Sequence, residues 1–249
     1  MNARPRFIVC LVALVATATT PLFAQPATAP APPTATVRDT VTPAPRDANW
    51  IQRHELINSR AVPGAVDLIF IGDSITQGWE GEGKQAWDKF YGARKAMNAG
   101  ISGDRTQHVL WRLDNGNVNG ITPKVAVVMI GTNNAAANEP ADTAAGIEAV
   151  VRSLRQKLPG TKVLLLGVFP RGATLDDPLR KKNTAVNEHL VKLDDGKDVF
   201  YLDIGPNFLA ADGTLAKEIM PDLLHLSPRG YEIWAEAIEP QVKELLGGS

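Results

Sequence analysis

The stretch Ile69–Trp79, IFIGDSITQGW, decides how the chain is read. Ile69, Phe70 and Ile71 close an apolar run that opens at Val66, Gly72 breaks it, and Asp73 and Ser74 are residue types that start helices. An apolar run of strand length that turns through glycine into a helix start is the unit of a parallel α/β sheet. In such sheets the working groups collect at the carboxyl ends of the strands. Ser74 sits at that point, and the stretch alone leaves two roles open for it, nucleophile or helix cap.

Working outward, the same alternation repeats. Strands are expected over 66–72, 94–100, 124–131, 162–169 and 198–204, with helical patterns in TQHVLWRLDN, DTAAGIEAVVRSLRQKL and DPLRKKNTAVNEHLVKL between them and in SPRGYEIWAEAIEPQVKELL at the end. Near-continuous Val, Ile and Leu in the central strands implies burial on both faces, hence helices on both sides of a parallel sheet. The expected fold is α/β: a three-layer α/β/α, doubly wound parallel sheet.

Ahead of this region, Arg4 and Arg6 precede an apolar run from Phe7 to Ala16 and then small residues up to Ala24, the layout of a secretory signal peptide over 1–24. Export to the periplasm or the extracellular space is therefore expected. The run is too short for a membrane anchor. Cys10 is the single cysteine and lies in that leader without a lipobox, so no disulfide is expected in the mature protein. Residues 25–46, rich in Pro, Ala and Thr, read as an extended linker. The domain is expected over 47–249, opening with a capped helix in DANWIQRHELINSR. With the leader's two arginines gone, the 26 basic residues become 24 against 27 acidic ones, taking the net charge from −1 to about −3. That balance gives no electrostatic reason to expect nucleic acid or an anionic membrane as partner.

The expected strand ends supply GDSITQG, NAGISGDRT and GTNN, and the loop before the last helix supplies DLLHLSPRGY. Each piece has an ordinary alternative. Ser74 can be a cap, Asn133 a turn residue, His225 a partner of backbone groups and Asp222 a plain loop carboxylate. GISG lacks the third glycine of a dinucleotide fingerprint, and GDSITQG lacks the lysine of a phosphate-binding loop. Together, however, a serine, a glycine, an amide and a His preceded three residues earlier by Asp make a kit for acyl transfer.

These four blocks, FIGDSITQGW, NAGISGDRTQHVLWRL, VVMIGTNN and DLLHLSPRGY, resemble those of the GDSL, or SGNH, hydrolases, most of all the catalytic subunits of intracellular platelet-activating-factor acetylhydrolase and their bacterial relatives. The resemblance spans about 47–246 and implies a flavodoxin-like SGNH hydrolase fold. It further implies Ser74 as nucleophile, His225 as base and Asp222 as its orienting carboxylate, with the Ser74 and Gly103 N–H groups and the Asn133 amide as oxyanion hole. On the residues alone Asn134 competes with Asn133. The chain has no G-x-S-x-G elbow, so the α/β-hydrolase version of the triad is not expected.

A glycine at 103 leaves room for the carbonyl oxygen to approach. His54 and His189 sit in charged helical segments and are expected in solvent, whereas His108 is a candidate to line the site. Trp79, Phe169, Pro170, Leu223 and Leu224 are candidates for an acyl pocket by their nearness to the motif loops, and each can equally be a core residue. No cofactor and no metal are expected, since the chain lacks H-E-x-x-H and a dense carboxylate cluster. The expected activity is hydrolysis of short acyl esters, acetylated saccharides foremost. A lysophospholipase or thioesterase of the same fold, or an inactive binding domain, are the alternatives. Oligomeric state, a homodimer included, is not readable from the sequence.

Overall fold

Five parallel strands run side by side in the order β2-β1-β3-β4-β5: β1 Leu68–Gly72, β2 Ala96–Gly100, β3 Val125–Met129, β4 Lys162–Leu166 and β5 Val199–Leu202. The computed structural model describes residues 39–248 together with Met1, and every element named here belongs to the unit Val37–Ser249. The expected leader and the linker residues up to 38 lie outside the described residues. The helices are α1 Ala48–Arg60, α2 Ser74–Gln77, α3 Lys84–Phe90, α4 Thr106–Asp114, α5 Pro140–Lys157, α6 Pro178–Leu190 and α7 Pro228–Leu245.

Alternate residues of each strand serve opposite faces, as a pleated sheet requires. Ile69 and Ile71 of β1, Ala126 and Val128 of β3, and Val163 and Leu165 of β4 pack with Trp50 and Ile57 of α1, Leu113 of α4 and Ile147 and Leu154 of α5. Leu68, Phe70, Val125, Val127 and Leu164 point the other way, onto Trp234, Ala235, Ile238 and Val242 of α7. Both faces are thus covered, which is why the strands read as unbroken apolar runs. Each large apolar side chain buried in these layers contributes about 1.5–3 kcal/mol relative to exposure.

Local chemistry starts the helices. Asp47 accepts hydrogen bonds from the N–H groups of Asn49 and Trp50 at α1, Asp177 from Leu179 and Arg180 at α6, and Ser227 from Gly230 at α7, with proline in the first turn of α5, α6 and α7. The observed strands are two or three residues shorter than the expected runs, because the flanking residues already belong to the turns.

Two expectations are corrected here. Residues 39–46 were assigned to the linker, yet they are packed onto the domain: Asp39–Val41 forms a 3-10 turn, Thr40 is fully buried, and Thr106 Oγ1 donates to the Thr40 carbonyl at 2.8 Å. His54, expected in solvent, is buried with its ring stacked on Trp50 and its nitrogens facing Asn115 O, Asn58 and Asn117. The flanking charges Arg53 and Glu55 conceal that Trp50, His54 and Ile57 share one helix face, and burial lowers the His54 pKa. His189 is exposed, as expected.

Candidate active site

The strand order 2-1-3-4-5 reverses direction between β1 and β3, and the crevice beyond the carboxyl ends at that switch point is where such sheets bind ligands. Gly72, Gly100 and Met129 lie level across the register of β1, β2 and β3. The loops carrying Ser74, Gly103 and Asn133 therefore leave the sheet at the same height and side by side.

At the end of β1 the chain turns at once into α2. A Cβ on Gly72 would collide with Thr76 and the Met129 carbonyl, so only glycine allows so close a turn. The cap of α2 is Asp73, whose Oδ1 accepts from the Ile75 N–H at 3.0 Å. That leaves the Ser74 hydroxyl uncommitted to the helix, and it meets His225 Nε2 at 2.9 Å.

His225 arrives from the far end of the chain. Asp222 Oδ2 lies 2.6 Å from His225 Nδ1, while Asp222 Oδ1 accepts from the Leu224 and His225 N–H groups at 3.0 and 2.7 Å. Leu223 takes a left-handed conformation, φ 61°, and so lets four residues curl round one carboxylate. Burial raises the Asp222 pKa, but the hydrogen bonds from the His225 ring and from the two N–H groups outweigh it and hold the carboxyl below its usual range. The carboxylate fixes the imidazole with Nδ1 protonated and Nε2 facing Ser74. The side chains of His225 and Asp222 are 45% and 56% exposed, so this pair is open to solvent.

The two asparagines after β3 separate cleanly. Asn134 is fully buried and spent on structure: its Oδ1 accepts from the Thr106 N–H at 3.1 Å and its Nδ2 faces Thr106 Oγ1, Gln107 Oε1 and Asn138 Oδ1. Asn133 is half-buried and reaches back toward the other loops. Its Nδ2 donates to the Asp104 carbonyl at 2.9 Å and makes a longer 3.4 Å contact with Asp73 Oδ2. Gly103, with φ +74°, lies directly before Asp104. That left-handed φ calls for glycine, and a Cβ there would also stand 3.0 Å from Arg46 Nη1.

Two buried carboxyls that sequence reasoning missed underlie the site. Burial pushes Asp73 up to about 7, with the Ile75 N–H opposing and the Asp104 charge reinforcing the shift. Burial also raises Asp104, against the pull of Arg112, which binds it at 2.8 Å, and of the Trp50 indole N–H at 2.6 Å. Arg112 also donates to the Ala99 carbonyl at 2.9 Å and the Gly72 carbonyl at 3.2 Å, pinning the carboxyl ends of β2 and β1 together. An arginine amid the apolar residues of TQHVLWRL was the available signal.

The remaining candidates sort by burial. Trp79 and Phe169 are core residues, 1% and 2% exposed, packed around Trp234, which corrects their reading as pocket residues. Leu223, Leu224 and Pro170 are half-buried, with Leu223 and Leu224 next to His225. His108 is bound to its own helix, its Nδ1 accepting from the Arg105 N–H at 3.0 Å. Burial foremost, then Arg46, Arg105 and Arg112, brings its pKa down to about 4, so it stays neutral. A cavity of about 390 Å³ between edge strand β2 and α3, lined by Trp79, Glu80, Trp87 and Asn98, contains none of the triad candidates. No three metal-ligating side chains converge among the described residues.

The sequence model of the GDSL-like lipase/acylhydrolase family matches residues 70–233, which include both Ser74 and His225. The chain belongs to this family. It is 37% identical to the rat platelet-activating factor acetylhydrolase IB subunit alpha2 over 201 residues, 80% of this chain and 86% of the rat protein. Among solved structures, a GDSL-like lipase from Bacteroides thetaiotaomicron superposes with TM-score 0.63 at 20% identity, covering 78% of this chain and 97% of its own. A catalytic mutant of an acetylxylan esterase from Geobacillus stearothermophilus superposes with TM-score 0.58 at 18% identity, covering 76% and 97%. These two share the fold. With its family and its acetylhydrolase relative, the chain is an ester-cleaving hydrolase.

Proposed function

We propose that the chain is an exported serine esterase that removes short acyl groups, acetyl first, from O-acylated saccharides. The observation that carries this reading is the unbroken line Asp222–His225–Ser74, at 2.6 and 2.9 Å, beside the Asn133 amide. Ser74 Oγ attacks the ester carbonyl while His225 Nε2 takes its proton. The same nitrogen then hands the proton to the departing alcohol, leaving an acyl-Ser74. Water attacks next, giving its proton to Nε2, and the carboxylic acid leaves as the proton returns to Ser74. Asp222 stabilises the imidazolium in both halves. The negative oxygen of each tetrahedral intermediate is met by the Asn133 amide, the Gly103 N–H and the Ser74 N–H, which opens α2 and so has no partner within the helix.

Three observations support a short acyl group on a large alcohol. Trp79 and Phe169 are turned into the core and leave Leu223 and Leu224 as the apolar groups flanking His225. The open face of the dyad admits a polymeric alcohol. The rat relative's name carries acetylhydrolase activity and the Geobacillus neighbour's name acetylxylan. Export rests on Arg4, Arg6 and the apolar run after them, and amino-terminal sequencing of the protein secreted by its host tests it by finding cleavage near Ala24. No helix of the described residues is long and apolar enough to cross a membrane.

A p-nitrophenyl ester series, run beside acetylated xylan and lysophosphatidylcholine, tests the substrate. A small acyl pocket gives kcat/KM that falls steeply beyond two to four carbons, about tenfold for each 1.4 kcal/mol of steric cost. A long apolar channel gives the reverse, a gain of about 0.8 kcal/mol per methylene. Preference for decanoate, or for lysophosphatidylcholine over every acetyl ester, overturns the acetyl assignment in favour of a lysophospholipase.

A further inference from the structure

The segment 39–46 has the composition of a linker, yet it touches the two loops that carry Gly103 and Asn133. Its Asp39 Oδ1 accepts from Asn138 Nδ2 at 2.8 Å, at the end of the turn that begins with Asn133 and Asn134. The Thr40 carbonyl accepts from Thr106 Oγ1 at 2.8 Å, and the Ala44 N–H donates to the Gln107 carbonyl at 3.2 Å, so the segment also grips the first turn of α4, which leaves the Gly103 loop. A Cβ on Gly146 would stand 2.8 Å from the Thr40 carbonyl, which shows how closely the segment lies on α5.

Arg46 ends the segment and is its one contact with Gly103. Its Nη1 donates to the Ser102 carbonyl at 2.7 Å and lies 3.5 Å from Asp104 Oδ1, so one guanidinium holds the residues on both sides of Gly103. Its Nη1, Nη2 and Cζ stand 3.0, 3.2 and 3.4 Å from where a Gly103 Cβ would be. On the opposite side Gln77 Oε1 accepts from the Ser102 N–H at 2.7 Å, and Asn133 Nδ2 donates to the Asp104 carbonyl. The left-handed turn at Gly103 is therefore clamped from α2, from the loop after β3 and from the N-terminal segment. Both contacts of Arg46 run through Nη1, while Nη2 of the planar fork lies 4.0 Å from Asp47 Oδ2.

We infer that Arg46 is a positioning residue for ester hydrolysis: through the Ser102 carbonyl and Asp104 it holds the Gly103 N–H in the direction of the developing oxyanion. The inference rests on the oxyanion-hole reading above. It makes the segment 39–46 part of the catalytic apparatus, although none of its residues is a triad candidate or an oxyanion donor. Displacing a donor by about an ångström can cost as much as ~100-fold in rate, and removing one altogether costs about 10²–10³. Loss of Arg46, which leaves the Gln77 and Asn133 restraints in place, should fall below that limit.

The test uses the full chain and p-nitrophenyl acetate, with Arg46→Ala and Arg46→Lys compared with the native protein. Arg46→Ala should lower kcat by about 10–100-fold, leave KM within about threefold and keep Tm close to native, since Arg46 lies at the edge of the fold. Lysine keeps the charge without the fork and should recover only part of the loss. Guanidinium ion at low, non-denaturing concentration should restore the alanine variant, and ammonium should not. A kcat for Arg46→Ala within twofold of native overturns the inference, and so does a loss that follows a fall in Tm and does not respond to guanidinium. Ser74→Ala and Asn133→Ala are measured alongside. If they abolish or cripple turnover while Arg46→Ala is silent, only the role of Arg46 fails; if Asn133→Ala is silent as well, the oxyanion reading fails with it.

Discussion

Replacing Asn133 and Asn134 one at a time by alanine should separate catalysis from stability, although the two residues are neighbours of identical chemistry. Asn134 is buried and closes the joint between the loop after β3 and α4. Its loss leaves the buried Thr106 N–H without the acceptor it has at 3.1 Å, together with the buried Gln107 amide oxygen now 3.3 Å away. An orphaned buried polar group costs about 1–3 kcal/mol, and a domain of this size loses about 2–4 °C of Tm per kcal/mol. Asn134→Ala should therefore melt several degrees lower while keeping most of its kcat at a permissive temperature. Asn133 is half-buried, and its loss gives up the Asp104 carbonyl and the longer contact with Asp73 Oδ2, so the Tm of Asn133→Ala should fall less than that of Asn134→Ala. On the proposed reading the Asn133 amide serves an oxygen that is charged only in the transition state, and kcat should fall about 10²–10³-fold with KM nearly unchanged. Initial rates on p-nitrophenyl acetate across a range of concentrations, with thermal melts of the same preparations, read both quantities. A crossed result would refute the reasoning: a catalytic collapse at native Tm for Asn134→Ala, with Asn133→Ala active.

Ser74→Ala and His225→Ala should each reduce kcat by about 10⁴ or more, and the double variant by little further, since the two side chains act as one unit; additive losses would show independent roles. Asp222→Asn should also lose much of its kcat because the amide no longer fixes the imidazole tautomer, and native-like rates would remove Asp222 from the mechanism. Asp73 gives a pH signature in stability. Its carboxyl stands at about 7 in the folded protein, against about 3.9 in an unfolded chain, so the folded state keeps a proton that the unfolded chain has released. Its contribution is fully present below about pH 4 and is lost as pH rises through about 7, an effect on the order of a few kcal/mol. In Asp73→Asn that slope should vanish, and the difference in Tm between variant and native protein should shift in favour of the variant from pH 5 to pH 8; parallel Tm curves would show that Asp73 does not titrate in this window.

The strand-turn-helix reading of Ile69–Trp79 was legible because a buried parallel strand must be apolar on both faces and must end where a polar turn begins. The observed β1 and α2 meet at Gly72 and Asp73. Sequence also picked out the residues that the fold gathers beyond β1, β2 and β3 and in the loop before α7. It could not choose between Asn133 and Asn134, since the choice lies in which way a turn faces. Nor could it separate Trp79 and Phe169 from pocket residues, because an aromatic near a motif loop packs inward or outward by tertiary context alone. The segment 39–46 was hidden for another reason. Two of its contacts use backbone groups, the Thr40 carbonyl and the Ala44 N–H, which composition does not encode. Arg112 stood out among apolar residues, but its partner Asp104 did not, since an i,i+8 contact across a turn leaves no periodic trace.

The central claim, that Ser74 is a nucleophile activated by His225, is tested most directly by intact-mass measurement after reaction with a fluorophosphonate. The account predicts one phosphonyl adduct per chain, mapped to Ser74 by peptide sequencing, absent in Ser74→Ala and formed far more slowly in His225→Ala. An adduct that persists in Ser74→Ala, or a native protein that hydrolyses p-nitrophenyl acetate and takes up no label, would contradict it.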